Sequence, residues 1–242
     1  MLIIKKAMGL CAVSMLMSSA WAGTDWDYQQ PEKWNQLNAS FAACAGQNQS
    51  PINIENTVKA DLAPLKFSYN TLIQTITNNG HTVQVDFKEG GELSLDGDTF
   101  KLKQFHLHTP SENTIKGKQY PLEIHFVHAN AQGQLAVVGM MYEQGAENPQ
   151  LAKIWNSLPK QKGQMITLKE PQSVNHLLPK NLDYYRFSGS LTTPPCSEGV
   201  RWLILKDIQT ASAKQIADFA QLLGHPNNRP VQPLNGRVIV EN

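Results

Sequence analysis

Four of the chain's seven histidines fall within residues 104–128, QFHLHTPSENTIKGKQYPLEIHFVH. Side chains alternate along a strand, so Gln104, His106 and His108 share one face while Phe105 and Leu107 share the other. In the second half Glu123, His125 and Val127 alternate in the same way with Ile124 and Phe126. Three imidazoles from two neighbouring strands would offer a catalytic Zn²⁺ nitrogens at about 2.0–2.1 Å and leave a fourth tetrahedral position for water. A strand histidine taken alone is more often a packed or surface residue than a ligand. The polar company argues otherwise. Gln104 and Glu123 each precede a histidine by two residues on its own face, and ligating imidazoles usually hand their second N–H to such an amide or carboxylate. A buried face carrying Gln, His, His opposite Glu and His would be costly without an ion to collect those groups.

The runs Gln104-Phe105-His106-Leu107-His108, Pro110-Ser111-Glu112 and Glu123-Ile124-His125-Phe126-Val127-His128 resemble the signature of the α-class carbonic anhydrases of bacterial, secreted type. Further blocks follow in the family's order: Gln49-Ser50-Pro51-Ile52-Asn53-Ile54, Asn78-Asn79-Gly80-His81, Gly189-Ser190-Leu191-Thr192-Thr193-Pro194-Pro195, and Asn228-Arg229-Pro230-Val231-Gln232-Pro233. The resemblance covers nearly all of the chain after residue 25.

The resemblance implies zinc on His106, His108 and His125, with Gln104 and Glu123 behind them, and attack of zinc-bound hydroxide on CO₂ to give bicarbonate and a proton. The hydroxide would donate its hydrogen bond to Thr192, whose own hydroxyl donates to Glu112, while the Thr192 backbone N–H meets a substrate oxygen. Val127, Val137, Leu191, Val200 and Trp202, with Thr193, would form the substrate pocket; without the family, the five apolar residues are simply core. Tyr28 would belong to the proton network, although Trp26-Asp27-Tyr28 stands where Trp-Gly-Tyr is common. Thr109 replaces the tryptophan of vertebrate members, and Asn113 stands where many members have a histidine. Sulfonamides and anions are the inhibitors the family implies, weak ester hydrolysis a side activity, and either a monomer or a homodimer is compatible with it.

Returning the proton to solvent is the hard step. Zinc brings the pKa of its water to about 7, a value that belongs to carbonic anhydrases as a class and is not obtained from this chain. At a diffusion ceiling of roughly 10¹⁰ M⁻¹s⁻¹, direct loss to water is then limited to about 10³ s⁻¹. Faster turnover needs a relay, and imidazole titrates in the right range. By resemblance the shuttle is His81, just past the Asn79-Gly80 turn; taken alone it is a solvated turn histidine. His128, His176 and His225 read as structural or surface residues.

The elements that must position these residues are mostly strands. Residues 75–77 and 82–87 flank the Asn-Gly turn, and residues 135–142 form a near-continuous apolar strand. Asn148-Pro149 opens a helix with Leu151, Ile154, Trp155 and Leu158 on one stripe, ended by Pro159. A second helix spans residues 212–223 with Ile216, Phe219, Ala220 and Leu223 as its apolar stripe and Gly224 as its stop. The fold expected is mainly β (α+β): a central, twisted, mostly antiparallel sheet, roughly ten-stranded by resemblance, with a few short surface helices.

The chain has 242 residues, 41% hydrophobic, with 21 basic against 20 acidic side chains. That describes one globular unit, and without a basic stripe nucleic acid is not an expected partner. Lys5 and Lys6 precede an apolar run over residues 7–17, and Ala20-Trp21-Ala22 supplies a small-x-small cleavage site. Residues 1–22 therefore read as a cleaved signal peptide and 23–242 as a single catalytic domain in the periplasm. The apolar run is short of the roughly 20 residues a spanning helix needs, and Cys11 lacks a convincing lipobox, so no membrane association is expected after cleavage. Cleavage leaves 19 basic against 20 acidic residues, a net charge of −1. It also leaves the pair Cys44 and Cys196: a disulfide is the default in an oxidising compartment and is what the resemblance implies, with two buried free thiols as the alternative. A zinc-free recognition module is the competing function, but this chain keeps the three histidines, Thr192 and Glu112; no HExxH pair suggests another zinc hydrolase.

Overall fold

The computed structural model describes residues 26–168, 172–174 and 176–242. The expected signal peptide and Cys11 lie outside them. The strands that carry the site are β1 (Ile73–Asn78), β2 (Val83–Phe87), β3 (Asp98–His108), β4 (Leu122–Ala129), β5 (Leu135–Gln144), β6 (Tyr184–Ser190) and β7 (Glu198–Leu205). They pair in the order β1-β2-β3-β4-β5-β7-β6 within a sheet of 13 strands among the described residues. Neighbours on this path are antiparallel except β5 with β7, which run parallel over Ala136 to Gly139 and Arg201 to Ile204. The long excursion between β5 and β7 makes that possible, because parallel neighbours cannot be joined by a tight hairpin. The expected mostly antiparallel sheet is therefore present. It exceeds ten strands because of short pieces such as Val58–Lys59, Gln209–Ala211 and Val240–Glu241.

Period-2 alternation divides the sheet into two apolar faces. Phe105, Leu107, Ile124, Phe126, Val138, Met140, Leu203 and Leu205 belong to one cluster. Val137, Met141, Phe187, Val200, Trp202 and Ile204 belong to the other, with Ile52 and Ile54. Each such fully buried side chain stabilises by about 1.5–3 kcal/mol, so the register is held from both sides. A register shift between Leu102 and Gln104 bulges β3 at Lys103. Beyond it His106 lies opposite His125 and His108 opposite Glu123.

The two anticipated helices form with the anticipated caps. In α1 (Pro149–Trp155) the Asn148 side chain accepts from the N–H groups of Gln150 and Leu151. In α2 (Ala213–Leu223) Ser212 and Gln215 make a capping box, and the helix stops at Gly224 with φ +75°. Two stripe positions differ from expectation: Leu158 lies beyond the end of α1, and Ala220 is exposed, while Gln215 is buried beside Phe219. The Gln215 amide faces inward because it is used there, accepting from Asn148 N at 2.9 Å and donating to Asn148 O at 2.8 Å. No helix among the described residues is long and apolar enough to cross a membrane.

His128 on β4 is wholly buried, while His176 is exposed. The His128 Nδ1–H donates to the Ala136 carbonyl (3.2 Å), leaving Nε2 to accept from the Tyr69 hydroxyl at 2.6 Å. Burial lowers its pKa to about 4. The unfolded chain, with an ordinary histidine near 6.5, then binds the extra proton first, so stability is lost as pH falls from about 6.5 towards 4. Urea unfolding at pH 7 and pH 4.5 is expected to show the wild type losing roughly 2–3 kcal/mol more than His128→Leu over that interval.

Candidate metal centre

The three histidines expected as ligands converge on one face of β3 and β4. The His106 Nδ1–H donates to Gln104 Oε1 at 2.8 Å, and the His108 Nδ1–H to the Asn227 carbonyl at 2.6 Å. His125 Nε2 lies 2.8 Å from Glu123 Oε1. The inward nitrogens are thus His106 Nε2, His108 Nε2 and His125 Nδ1. One ligand atom from each residue lies within 4.8 Å of the others. His108 Nε2 is buried without a hydrogen-bond partner. Burial, reinforced at His106 by the two neighbouring imidazoles, lowers the pKa of His106, and burial lowers that of His108, so both stay neutral with a lone pair to give. With His125 Nδ1 beside them, these nitrogens face one point and can hold a metal ion.

The supporting carboxylates are themselves supported. Glu123 Oε2 accepts from the backbone N–H groups of Glu112 (2.8 Å) and Asn113 (3.0 Å), and Oε1 from the Asn113 amide at 2.9 Å. Burial pushes the Glu123 carboxyl up, but His125 and Asn113 outweigh it and hold the pKa below the ordinary value. Glu112 accepts from Arg229 N–H at 2.9 Å through Oε1, while Oε2 lies 3.4 Å from His108 Nε2. Burial raises its pKa to about 7 against the lowering effects of His125, the Arg229 N–H and the Thr192 hydroxyl. Arg229 is buried too, with Nη1 on Gln49 Oε1 and Ser50 O and Nη2 on Cys44 O.

The disulfide Cys44–Cys196 is present and closes a sequence separation of 152. It joins the buried Arg229 region to the loop after Thr193, where Cys196 N–H donates back to Thr193 O. Across the sheet Val127, Val137 and Trp202 form one rung over β4, β5 and β7, with Val200 and Leu191 in the same apolar cluster. The rings of Trp202 and His125 are 4.8 Å apart, which puts this wall beside the histidines.

A cavity of about 120 Å³ opens over His106 and His108 and is bordered by Tyr28, His81, Gln84 and Thr193. Burial and the Glu112 carboxylate push the Tyr28 phenol well above its usual range, so it remains a donor at neutral pH. Asn79 Oδ1 accepts from the N–H groups of His81 and Thr82, which shapes the turn, and Gly80 takes the required positive φ of 87°. The His81 ring stacks on Trp26 at 3.9 Å, 9° from parallel, so Asp27 at the middle of the Trp26-Asp27-Tyr28 run does not prevent the two aromatics from packing.

Asn227, Asn113, Arg229 and Gly139 were not among the anticipated site residues. Asn227 orients His108 by its carbonyl, and its amide also holds the carbonyls of His81 (3.0 Å) and Leu107 (2.9 Å). Asn113, noted only as a departure from the family pattern, grips Glu123. Gly139 lies opposite His125, and a Cβ there would stand 3.1 Å from Glu123 Oε1 and 2.5 Å from Ile204 Cδ1. Arg229 was visible as part of the Asn-Arg-Pro block, although without a role.

Residues 29–242 match the family profile described as eukaryotic-type carbonic anhydrase. Carbonic anhydrase from Pectobacterium carotovorum is 48% identical over 241 residues, covering 96% of this chain and 99% of that protein. The α-carbonic anhydrase of Thermovibrio ammonificans, solved with the inhibitor sulfanilamide, is 46% identical with a TM-score of 0.88, covering 90% of this chain and 99% of that one. That of Photobacterium profundum is 50% identical with a TM-score of 0.85, covering 90% and 100%.

Asn113→Ala removes one grip on Glu123 and leaves the three imidazoles in place. It is expected to weaken metal affinity about 10- to 100-fold, as partners behind ligands commonly do, measured by competition with a coloured chelator. The double variant Cys44→Ser/Cys196→Ser is expected to lose about 2–5 kcal/mol of unfolding free energy in urea.

Proposed function

The chain belongs to the eukaryotic-type (α) carbonic anhydrase family, and from that premise we propose that it catalyses the reversible hydration of carbon dioxide to bicarbonate and a proton with Zn²⁺ on His106, His108 and His125. The observation that carries the reading is the convergence of three imidazoles, each with an acceptor oxygen behind it. Neutral imidazole nitrogens suit zinc, and three protein ligands leave a position for chemistry. Zinc bound there acts as a Lewis acid and supplies a nucleophile at neutral pH.

The chain's own groups do the rest. Glu112 Oε1 is committed to Arg229 N–H, and the Thr192 hydroxyl donates to the same carboxylate; with that hydrogen committed, the Thr192 oxygen accepts from the nucleophile and so aims the nucleophile's lone pair at the carbon. The Thr192 N–H and Thr193 face the substrate oxygens. CO₂ offers little to bind, and the Val127, Val137 and Trp202 rung with Val200 and Leu191 gives it an apolar surface. Tyr28 and the cavity's water carry the released proton to His81, whose imidazole passes it outward. Residues 1–22 direct export to the periplasm and 23–242 form the single catalytic domain; the disulfide suits that compartment. Sulfonamides and anions compete at the metal, in keeping with the sulfanilamide complex of the Thermovibrio relative.

Stopped-flow CO₂ hydration tests the proposal. Rapid hydration should disappear on chelation and return with added Zn²⁺; no hydration at a full equivalent of zinc would leave a metal-holding binding module instead. His81→Ala is expected to fall towards the roughly 10³ s⁻¹ that direct proton loss allows in dilute buffer, and to recover with imidazole. Unchanged turnover would move the shuttle elsewhere.

A further inference from the structure

His81 stands between two cavities. The inner one holds the metal-facing imidazoles. The outer one, of about 290 Å³, is bordered by Trp26, Asp27, Gly80, His81, Lys162 and His225. The stacked pair of Trp26 and His81 belongs to the walls of both. His225 is exposed and also borders a second cavity, of about 330 Å³, beside Asp27 and Tyr28. We propose that His225 is a second proton station, taking the proton from His81 across the outer cavity and delivering it to buffer. This rests on the carbonic anhydrase reading and on His81 as the first station.

The hydrogen bonding of His225 gives it the necessary form. One ring nitrogen, Nδ1, lies 2.9 Å from the carbonyl of Pro226. A carbonyl only accepts, so Nδ1 carries the hydrogen and Nε2 holds the lone pair. A proton arriving at Nε2 makes an imidazolium without breaking the Nδ1–H bond, and loss of the same Nε2 proton to a buffer base restores the starting state. One proton enters and one leaves. The cavity has room for several waters at about 30 Å³ each, enough to bridge the rings. Donor and acceptor are both imidazoles, and each ring can take up a proton on one nitrogen and release the same one, so the relay runs in either direction, as a reversible reaction requires.

The surroundings also favour traffic outward. Trp26 covers one face of His81 and limits its direct meeting with buffer, whereas His225 is open to it. The Lys162 stem lies against Gly80, where an added Cβ would come within 2.5 Å of Cε. Its ammonium repels a proton lingering on either ring, while the Asp27 carboxylate on the same cavity attracts one.

The test is His225→Asn, whose side-chain amide can still donate to the Pro226 carbonyl but does not titrate near neutrality. In dilute buffer kcat is expected to fall roughly two- to fivefold with kcat/KM unchanged, because proton delivery follows bicarbonate formation. Saturating imidazole should restore it, and the substitution should add nothing in a His81→Ala background. Nitrogen NMR of the zinc-free protein should find neutral His225 as the Nδ1–H tautomer. Unchanged kcat at every buffer concentration, a loss that imidazole does not repair, a further loss in the His81→Ala background, or the opposite tautomer would overturn the proposal. Absence of hydration in the zinc-loaded wild type would instead overturn the reading beneath it, and both would fall together.

Discussion

Three imidazoles can share one buried point only if each has its outer nitrogen committed and its inner lone pair directed at a common cation. Gln104, the Asn227 carbonyl and Glu123 make those commitments. Each is an acceptor, and an acceptor on one ring nitrogen forces the lone pair onto the other. The tautomers and the aim of the three rings therefore follow from the polar groups behind them. Desolvation works in the same direction by opposing protonation of His106 and His108.

The sheet makes this arrangement affordable. Its opposite face is a continuous apolar layer in which Phe105, Leu107, Ile124 and Phe126 pin the register of β3 and β4. A one-residue slip would carry His106, His108 and His125 into that layer and Phe105 and Phe126 into the polar site. On the site's own face the apolar rung begins where the polar set ends. Val127 lies two residues beyond His125 on β4, and Val137 and Trp202 continue the rung. Gly139, opposite His125, leaves the space that the His125 and Glu123 side chains occupy.

A second polar layer ties this centre to distant parts of the chain. Arg229 spends its guanidinium on Gln49, Ser50 and Cys44 and its backbone N–H on Glu112. Gln49 in turn donates to the carbonyl of Cys196, so the disulfide, the arginine and the loop after Thr193 form one buried unit. A buried cation without such acceptors would be costly, and these acceptors are mostly backbone carbonyls held in place by the fold. Asn227 performs the corresponding service between His108 and the His81 turn.

Much of the centre was legible because its signals are local. Alternation along residues 104–108 and 123–127 put the three histidines, Gln104 and Glu123 on one face, and side-chain chemistry named the ion they suit. The caps at Asn148 and Ser212 and the turn at Asn79-Gly80 were readable for the same reason: the partners lie within three residues. The partners that tertiary structure alone supplied are of another kind. His108 meets a carbonyl 119 residues away, Glu112 a backbone N–H 117 away, and His125 the missing Cβ of a glycine on the next strand. Likewise Trp26 and His81, and the outer cavity they share with His225, come together from segments far apart in sequence. Period and residue type determined which side chains could do the chemistry. Only the folded chain decided which backbone atoms hold them, because every residue carries the same N–H and C=O and nothing in a side chain's identity announces where those groups will lie.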